Sequence, residues 1–268
     1  SLATRTGEGI ASSLQYSLRL QELILGIFAV SIGTVILPDL SGLANEEKWE
    51  DFNSMLVQAI KIMILISIPV TFFSFVNGKE MITLLYKSKS FDDNSVMLTL
   101  GEFRFHIAGL LFIALNRIIS PAFYAQRNTK LPTMAGIISF IANIILALVL
   151  VIFMKGNGIA LALSLASLVN TVFLFIFMKK MNSFNTKIIT KKTLLYIVKI
   201  IILSVVAAIP CYLLNPIWIS AFENYGKMIS QGMPILINFL IFATIGVIEL
   251  IITKDEIAIV ILRKIKRR

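Results

Sequence analysis

The chain has 268 residues, of which 57% are hydrophobic and only 15% charged. Soluble domains run closer to half apolar and a quarter charged, and a mean hydropathy of +0.86 excludes a cytosolic enzyme and a disordered tail. The net charge of +10 would suggest a nucleic-acid partner in a soluble protein, but in a membrane protein a basic excess belongs to cytoplasmic loops.

Crossing roughly 30 Å of hydrocarbon takes about 20 mostly apolar residues, and seven stretches qualify. The first runs from Ile10 to Leu37 and is expected to end at Pro38. The second runs from Ser54 to Val76, interrupted only by Lys61. The third, Ser95 to Ala125, carries Glu102, Arg104, His106 and Arg117, and contains Pro121. The fourth, Thr133 to Met154, and the fifth, Ile159 to Met178, have no charge. The sixth, Leu194 to Leu214, has Lys199 near its start. The seventh, Met233 to Ile252, has Glu249 near its end. The runs are continuous and lack period-two alternation, so they read as helices, which satisfy their own backbone groups in lipid. Pro69, Pro121 and Pro210 are expected to kink three of them. The predicted fold class is all-α: a polytopic membrane protein with seven transmembrane helices.

Charge sets the expected orientation. Alternate loops divide the bases unevenly. One side holds Arg5, Lys79, Lys87, Lys89, Lys155 and Lys227. The other holds Lys48, Arg127, Lys130, Lys179, Lys180, Lys187, Lys191, Lys192, Lys254 and the basic tail from Arg263 to Arg268. The positive-inside rule makes the richer side cytoplasmic, and the tail then sits near anionic lipid headgroups. Bases scattered over short loops form no single nucleic-acid face. With seven spans the chain starts outside, at Ser1 and with no signal pattern, so an upstream part is expected.

An ionisable group at membrane depth is costly and marks a functional site by default. Arg19 and Glu22 are three apart and share a helix face. One reading has Arg19 gripping an anionic headgroup with Glu22 orienting it, since a guanidinium fork suits phosphate. The other has an interfacial arginine, paired with Glu22, snorkelling outward. Arg117, nearer the cytoplasmic end of its span, carries the same two readings. Glu102 and His106 are four apart on one face. A proton relay is one reading of them and a wet helix end the other, preferred one. Lys61 and Lys199 are read as snorkelling. Asn143 and Asn170, in the charge-free spans, are candidates for helix–helix hydrogen bonds or ion contacts. Small residues from Gly158 to Ser164 predict close helix packing. The lone cysteine, Cys211, forms no internal disulfide, and no cluster has metal-ligand spacing, so no metal site or catalytic residue is predicted.

Two stretches resemble the MurJ (MviN) family of bacterial lipid II flippases, part of the superfamily of multidrug, oligosaccharidyl-lipid and polysaccharide exporters. YSLRLQELILGIFAVSIGTVILPDLS, residues 16–41, is similar to the family's Tyr-Ala-Asp-Arg-Leu, Pro-Leu-Gly-Leu-Phe-Gly-Val and Thr-Val-Leu-Leu-Pro pattern. SPAFYAQRNTKLP, residues 120–132, resembles its Phe-Tyr-Ala-Arg-x-Asp-Thr-x-Thr-Pro turn. GIALALSLA, residues 158–166, and Asn170 also fit. Leu18, Ile24 and Asn128 depart from the family's aspartate, proline and second aspartate.

The resemblance implies helices 8–14 of a fourteen-helix flippase fold. Residues 1–182 would be the remnant of the C-terminal lobe, and 183–268 two C-terminal helices with a basic cytoplasmic tail. The missing N-terminal lobe of the same protein would be a partner, alongside membrane lipids. It implies lipid II translocation by alternating access in the bacterial inner membrane, with Arg19 as the cavity arginine for the pyrophosphate and Arg117 as a second basic position. No cofactor is implied beyond membrane potential as a driving force. A sodium site is not expected, because Ala147 and Leu163 replace two of the oxygen ligands that accompany Asn143. The alternatives are an exporter of another polyprenyl-linked oligosaccharide, a multidrug-type exporter, and a membrane enzyme acting on polyprenyl phosphates.

Overall fold

A computed structural model describes Gly7 and residues 9–259, without the side chains of residues 27–35. Arg5, the tail beyond Ile259 and the middle of the first motif stretch therefore lie outside the described residues. Among the described residues eight long helices follow one another: α1 (Ile10–Asn45), α2 (Trp49–Tyr86), α3 (Asp93–Ala108), α4 (Leu110–Tyr124), α5 (Lys130–Met154), α6 (Gly156–Met178), α7 (Thr186–Phe222) and α8 (Lys227–Ile252). Five of these are long and apolar enough to cross a membrane, or six with the bent pair α3–α4 taken as one span. The helix α1 holds the first predicted run, so all seven predicted spans fall on helices.

Several helices outrun their apolar segments. At 1.5 Å per residue, the 38 residues of α2 reach about 57 Å, nearly twice the hydrocarbon thickness. Residues 77–86, past the expected end of the second span at Val76, are accordingly the last turns of α2. Pro38 does not end α1, which continues to Asn45.

The expected kinks also move. Pro69, Pro121 and Pro210 each lie inside an unbroken helix. The third span instead bends by 41° at Gly109, between α3 and α4. A Cβ there would collide with Ser164 of α6, so glycine lets α6 press against the break. Ser164 also repairs it, since its Oγ donates to the Phe105 carbonyl at 2.6 Å.

The buried core runs along α2 (Phe52, Leu56, Ile60, Met63, Ile64) and is met by Phe103 and Ile107 of α3 and by Leu110, Ile118 and Phe123 of α4. The helices α5 and α6 form a tight hairpin. A Cβ on Gly158 would strike the Leu150 carbonyl, which bears out the small-residue reading. The α7–α8 hairpin leans chiefly on α2 and has its own small core of Ala207, Ala208, Cys211 and Phe242.

Candidate functional site

The described part of α1 carries polar side chains on two faces. Ser13, Ser17 and Gln21 are buried, with Leu20, Ile24 and Leu25 beside them. Ser12, Gln15, Arg19, Glu22 and Gly26 are exposed. Steps of three and four place the second set on one stripe, about half a turn from the first. The stripe faces away from α2, α3 and α4, which cover the other side of α1.

Contrast with α5 shows what the stripe means. Beyond its first turn the exposed face of α5 is apolar, with Ile137, Phe140, Ile141, Ile144, Ile145, Leu148, Ile152 and Phe153. Lipid suits that face. A stripe of serine, glutamine, arginine and glutamate does not belong in hydrocarbon, because each group would forfeit its hydrogen bonds there. It calls for water or further protein.

Arg19 is one turn beyond Tyr16, whose ring meets Tyr86 at 4.8 Å and Phe91 at 5.1 Å between centroids. Arg19, Glu22 and Arg117 are all exposed. No ion pair or hydrogen bond joins any two of them among the described residues. Glu22 therefore does not hold the Arg19 guanidinium in this conformation. The expected pairing of the two is thus not formed, although both lie on the same stripe.

Glu102 and His106 correct the sequence reading. They were expected at a wet helix end. Instead they are 2% and 3% exposed, pressed between α3, α1 and α6. Ser17 Oγ hydrogen-bonds His106 Nδ1, and Gln21 Nε2 donates to the His106 carbonyl. The buried face of α1 is therefore a polar seam against α3, directly behind the Arg19 stripe. The four-residue spacing of Ser13, Ser17 and Gln21 was the available signal for it.

The two lysines read as snorkelling are also corrected. Lys61 has a side chain only 12% exposed and pairs with Glu256 at 2.6 Å. Lys199 pairs with the buried Asp255 at 2.6 Å. Their partners follow α8, far away in sequence. Together with Asn53, Gln58, Lys187 and Lys192, Lys61 and Glu256 line a cleft of about 1130 Å³ at that end of the molecule.

Asn143 and Asn170 each bury an Oδ1 with no hydrogen-bond partner. Other residues make the interhelical bonds. Ser139 donates to the Ala166 carbonyl at 2.7 Å, and Thr171 donates to Asn116 Oδ1 at 2.8 Å. A second buried polar cluster went unread in the sequence. Asn238 of α8 donates to Asn77 of α2 at 2.7 Å and to Asn215 of α7 at 2.8 Å, fastening the α7–α8 hairpin.

Residues 1–229 match the family model described as lipid II flippase MurJ. A probable lipid II flippase MurJ of Treponema pallidum (strain Nichols) is 46% identical over 265 residues, which is 99% of this chain and 50% of that protein. A probable lipid II flippase MurJ of Thermotoga maritima is 32% identical over 180 residues, 67% of this chain and 37% of that protein. A solved lipid II flippase MurJ in an inward closed conformation matches with a TM-score of 0.75 at 27% identity, covering 95% of this chain and 49% of the other. The chain spans about half the length of the relatives it matches.

Proposed function

The chain belongs to the MurJ family of lipid II flippases, and from that premise we propose that it supplies one wall of a carrier for lipid II, an undecaprenyl-pyrophosphate-linked disaccharide-peptide. The stripe on α1 lines the translocation cavity, and Arg19 captures the pyrophosphate. The observation that carries this reading is a guanidinium on an exposed polar stripe, without an acidic partner among the described residues. A planar fork of donors binds phosphate oxygens in pairs. Its charge-assisted hydrogen bonds are worth about 1.5–3 kcal/mol each.

Residues 1–182 then form five spans of one lobe, and residues 183–268 a two-helix appendage. A second lobe closes the cavity on the far side of the stripe. Rocking of the two lobes exposes the cavity to each side in turn, while the polyprenyl chain stays in lipid. Arg117, exposed on α4, adds positive charge deeper along the path. The location is the bacterial inner membrane with the C-terminus cytoplasmic. The protein acts as a transporter, and membrane potential can drive any step that moves charge through it.

The test is lipid II exposure at the outer leaflet of vesicles carrying the full-length protein. Arg19→Ala is expected to slow translocation at least about tenfold, the equivalent of 1.4 kcal/mol. Arg19→Lys keeps the charge but loses the fork and should fall between. Unchanged translocation in Arg19→Ala would remove Arg19 from the mechanism.

A further inference from the structure

Among the described residues, Glu102 is the one buried carboxylate in the seam behind the stripe. It is 2% exposed, and its Oε2 has no hydrogen-bond partner. No basic group pairs with it among the described residues. Its other oxygen presses on Gly156, the first residue of α6, where any side chain would collide with it. The Ser13 hydroxyl lies beside it, and that hydroxyl donates its own hydrogen to the Ile10 carbonyl at 3.0 Å. Ser13 therefore has one hydrogen for two acceptors, the Ile10 carbonyl and the carboxylate. With Oε2 unpartnered as well, a charged carboxylate here is poorly solvated.

We propose that Glu102 is a proton-binding site that couples the carrier to pH: with the proton bound, α1 seats against α3 and α6, and loss of the proton to water frees α1 to move. The proposal rests on the carrier reading above and names the ion that the cycle would bind. An unpaired negative charge so fully buried is strongly disfavoured, so deprotonation and separation of the helices go together. α1 bears Ser13, Ser17 and Gln21 on its seam face and Arg19 on its open face, so the same movement repositions the guanidinium.

The surroundings supply little that competes. From α3 itself, His106 lies one turn on and is engaged by Ser17, while Arg104 is exposed. Among the described residues, α1 turns only hydroxyls and an amide toward it, and Lys155, just before α6, is exposed and makes no ion pair. On α2, Lys79 is exposed, Glu80 accepts from Asn215 of α7 at 3.3 Å, and Tyr86 reaches the Tyr16 carbonyl at 3.5 Å.

The experiment reads the helix positions and not the transport. Nitroxide labels are placed at Ser12→Cys on α1 and Ile152→Cys on α5, both exposed, in full-length protein carrying Cys211→Ala and reconstituted in vesicles without lipid II. Distance distributions are taken from pH 5 to pH 9. The expected result is one population at low pH and a second that grows as pH rises, the ratio changing up to tenfold per pH unit for a single proton. Glu102→Gln, which is isosteric and cannot ionise, should hold the low-pH population throughout. Two results overturn the proposal: a single population in the parent across the range, or a transition that persists in Glu102→Gln, which loss in His106→Gln would then trace to the imidazole. Because no lipid is present, failure of the flippase reading leaves this outcome intact.

Discussion

At the scale of single residues, the tightest electrostatic arrangement is at the end of α8. Asp255 is 1% exposed. It accepts from Lys199 Nζ at 2.6 Å, Tyr196 Oη at 3.0 Å and the Ala258 amide at 3.2 Å. Burial alone would raise its carboxyl, but Lys199, the Ala258 amide and Tyr196 outweigh it and hold the group below its ordinary 3.8. A depressed carboxyl stabilises the fold fully above its unfolded value and loses that contribution as pH falls through the folded one. Hydrogen exchange of residues 253–259 should therefore stay slow at neutral pH and quicken only below about pH 3.8. Lys199→Met should quicken it already at pH 7. Because Lys199 is 30% exposed, the cost is discounted for solvent to about 1–2 kcal/mol. Neither this pair nor Lys61–Glu256 was legible in the sequence. A lysine near a helix end reads as snorkelling when its partner stands 56 or 195 positions away.

Among the helices, α1 explains why part of the candidate site could be read and part could not. Arg19 and Glu22 stand out because a charge in an apolar run is conspicuous. The buried seam does not, because Ser13, Ser17 and Gln21 interleave with Ser12, Gln15 and Arg19. Polar residues on two opposed faces cancel the periodicity that would betray either one. The break between α3 and α4 was hidden for a related reason. Proline is the conspicuous helix breaker, and Pro121 stood nearby, but the bend follows from the room Gly109 leaves for Ser164. The α5–α6 hairpin, by contrast, was legible from its run of small residues. Gly158→Ala tests that packing. The new methyl would meet the Leu150 backbone, which cannot swing aside as a side chain can. Overpacking of this kind costs about 1–3 kcal/mol, so the melting temperature should fall. Gly136→Ala, on the open side of α5 with nothing within 4 Å, should not lower it.

For the molecule as a whole, alternation of the loops makes a geometric claim that the fold supports on both sides. At one end, Asn53 at the start of α2 donates to the Ser183 carbonyl at 2.8 Å and accepts from the Asn185 amide at 2.9 Å. Gln126, after α4, accepts from the same Ser183. Lys61 reaches Glu256 beyond α8 at 2.6 Å. The turn after α1, the turn after α4, the α6–α7 loop and the segment after α8 therefore share one end. At the other end, Lys227 at the start of α8 donates to the Lys87 carbonyl after α2 at 2.6 Å. Glu102 meets Gly156 at the start of α6. In the proposed orientation the first end is cytoplasmic, because most loop lysines and arginines gather there. Single cysteines in a Cys211→Ala background can decide the orientation. Lys187→Cys, exposed in the first turn of α7, should react with a membrane-impermeant maleimide only after the cells are opened. Tyr225→Cys, exposed between α7 and α8, should react in intact spheroplasts. Labelling of both from one side would contradict α7 as a span, and the reverse pattern would invert the charge argument. An inverted protein would also place the seam of Glu102 nearer cytoplasmic water, so the side from which the proton enters follows from the same two labels.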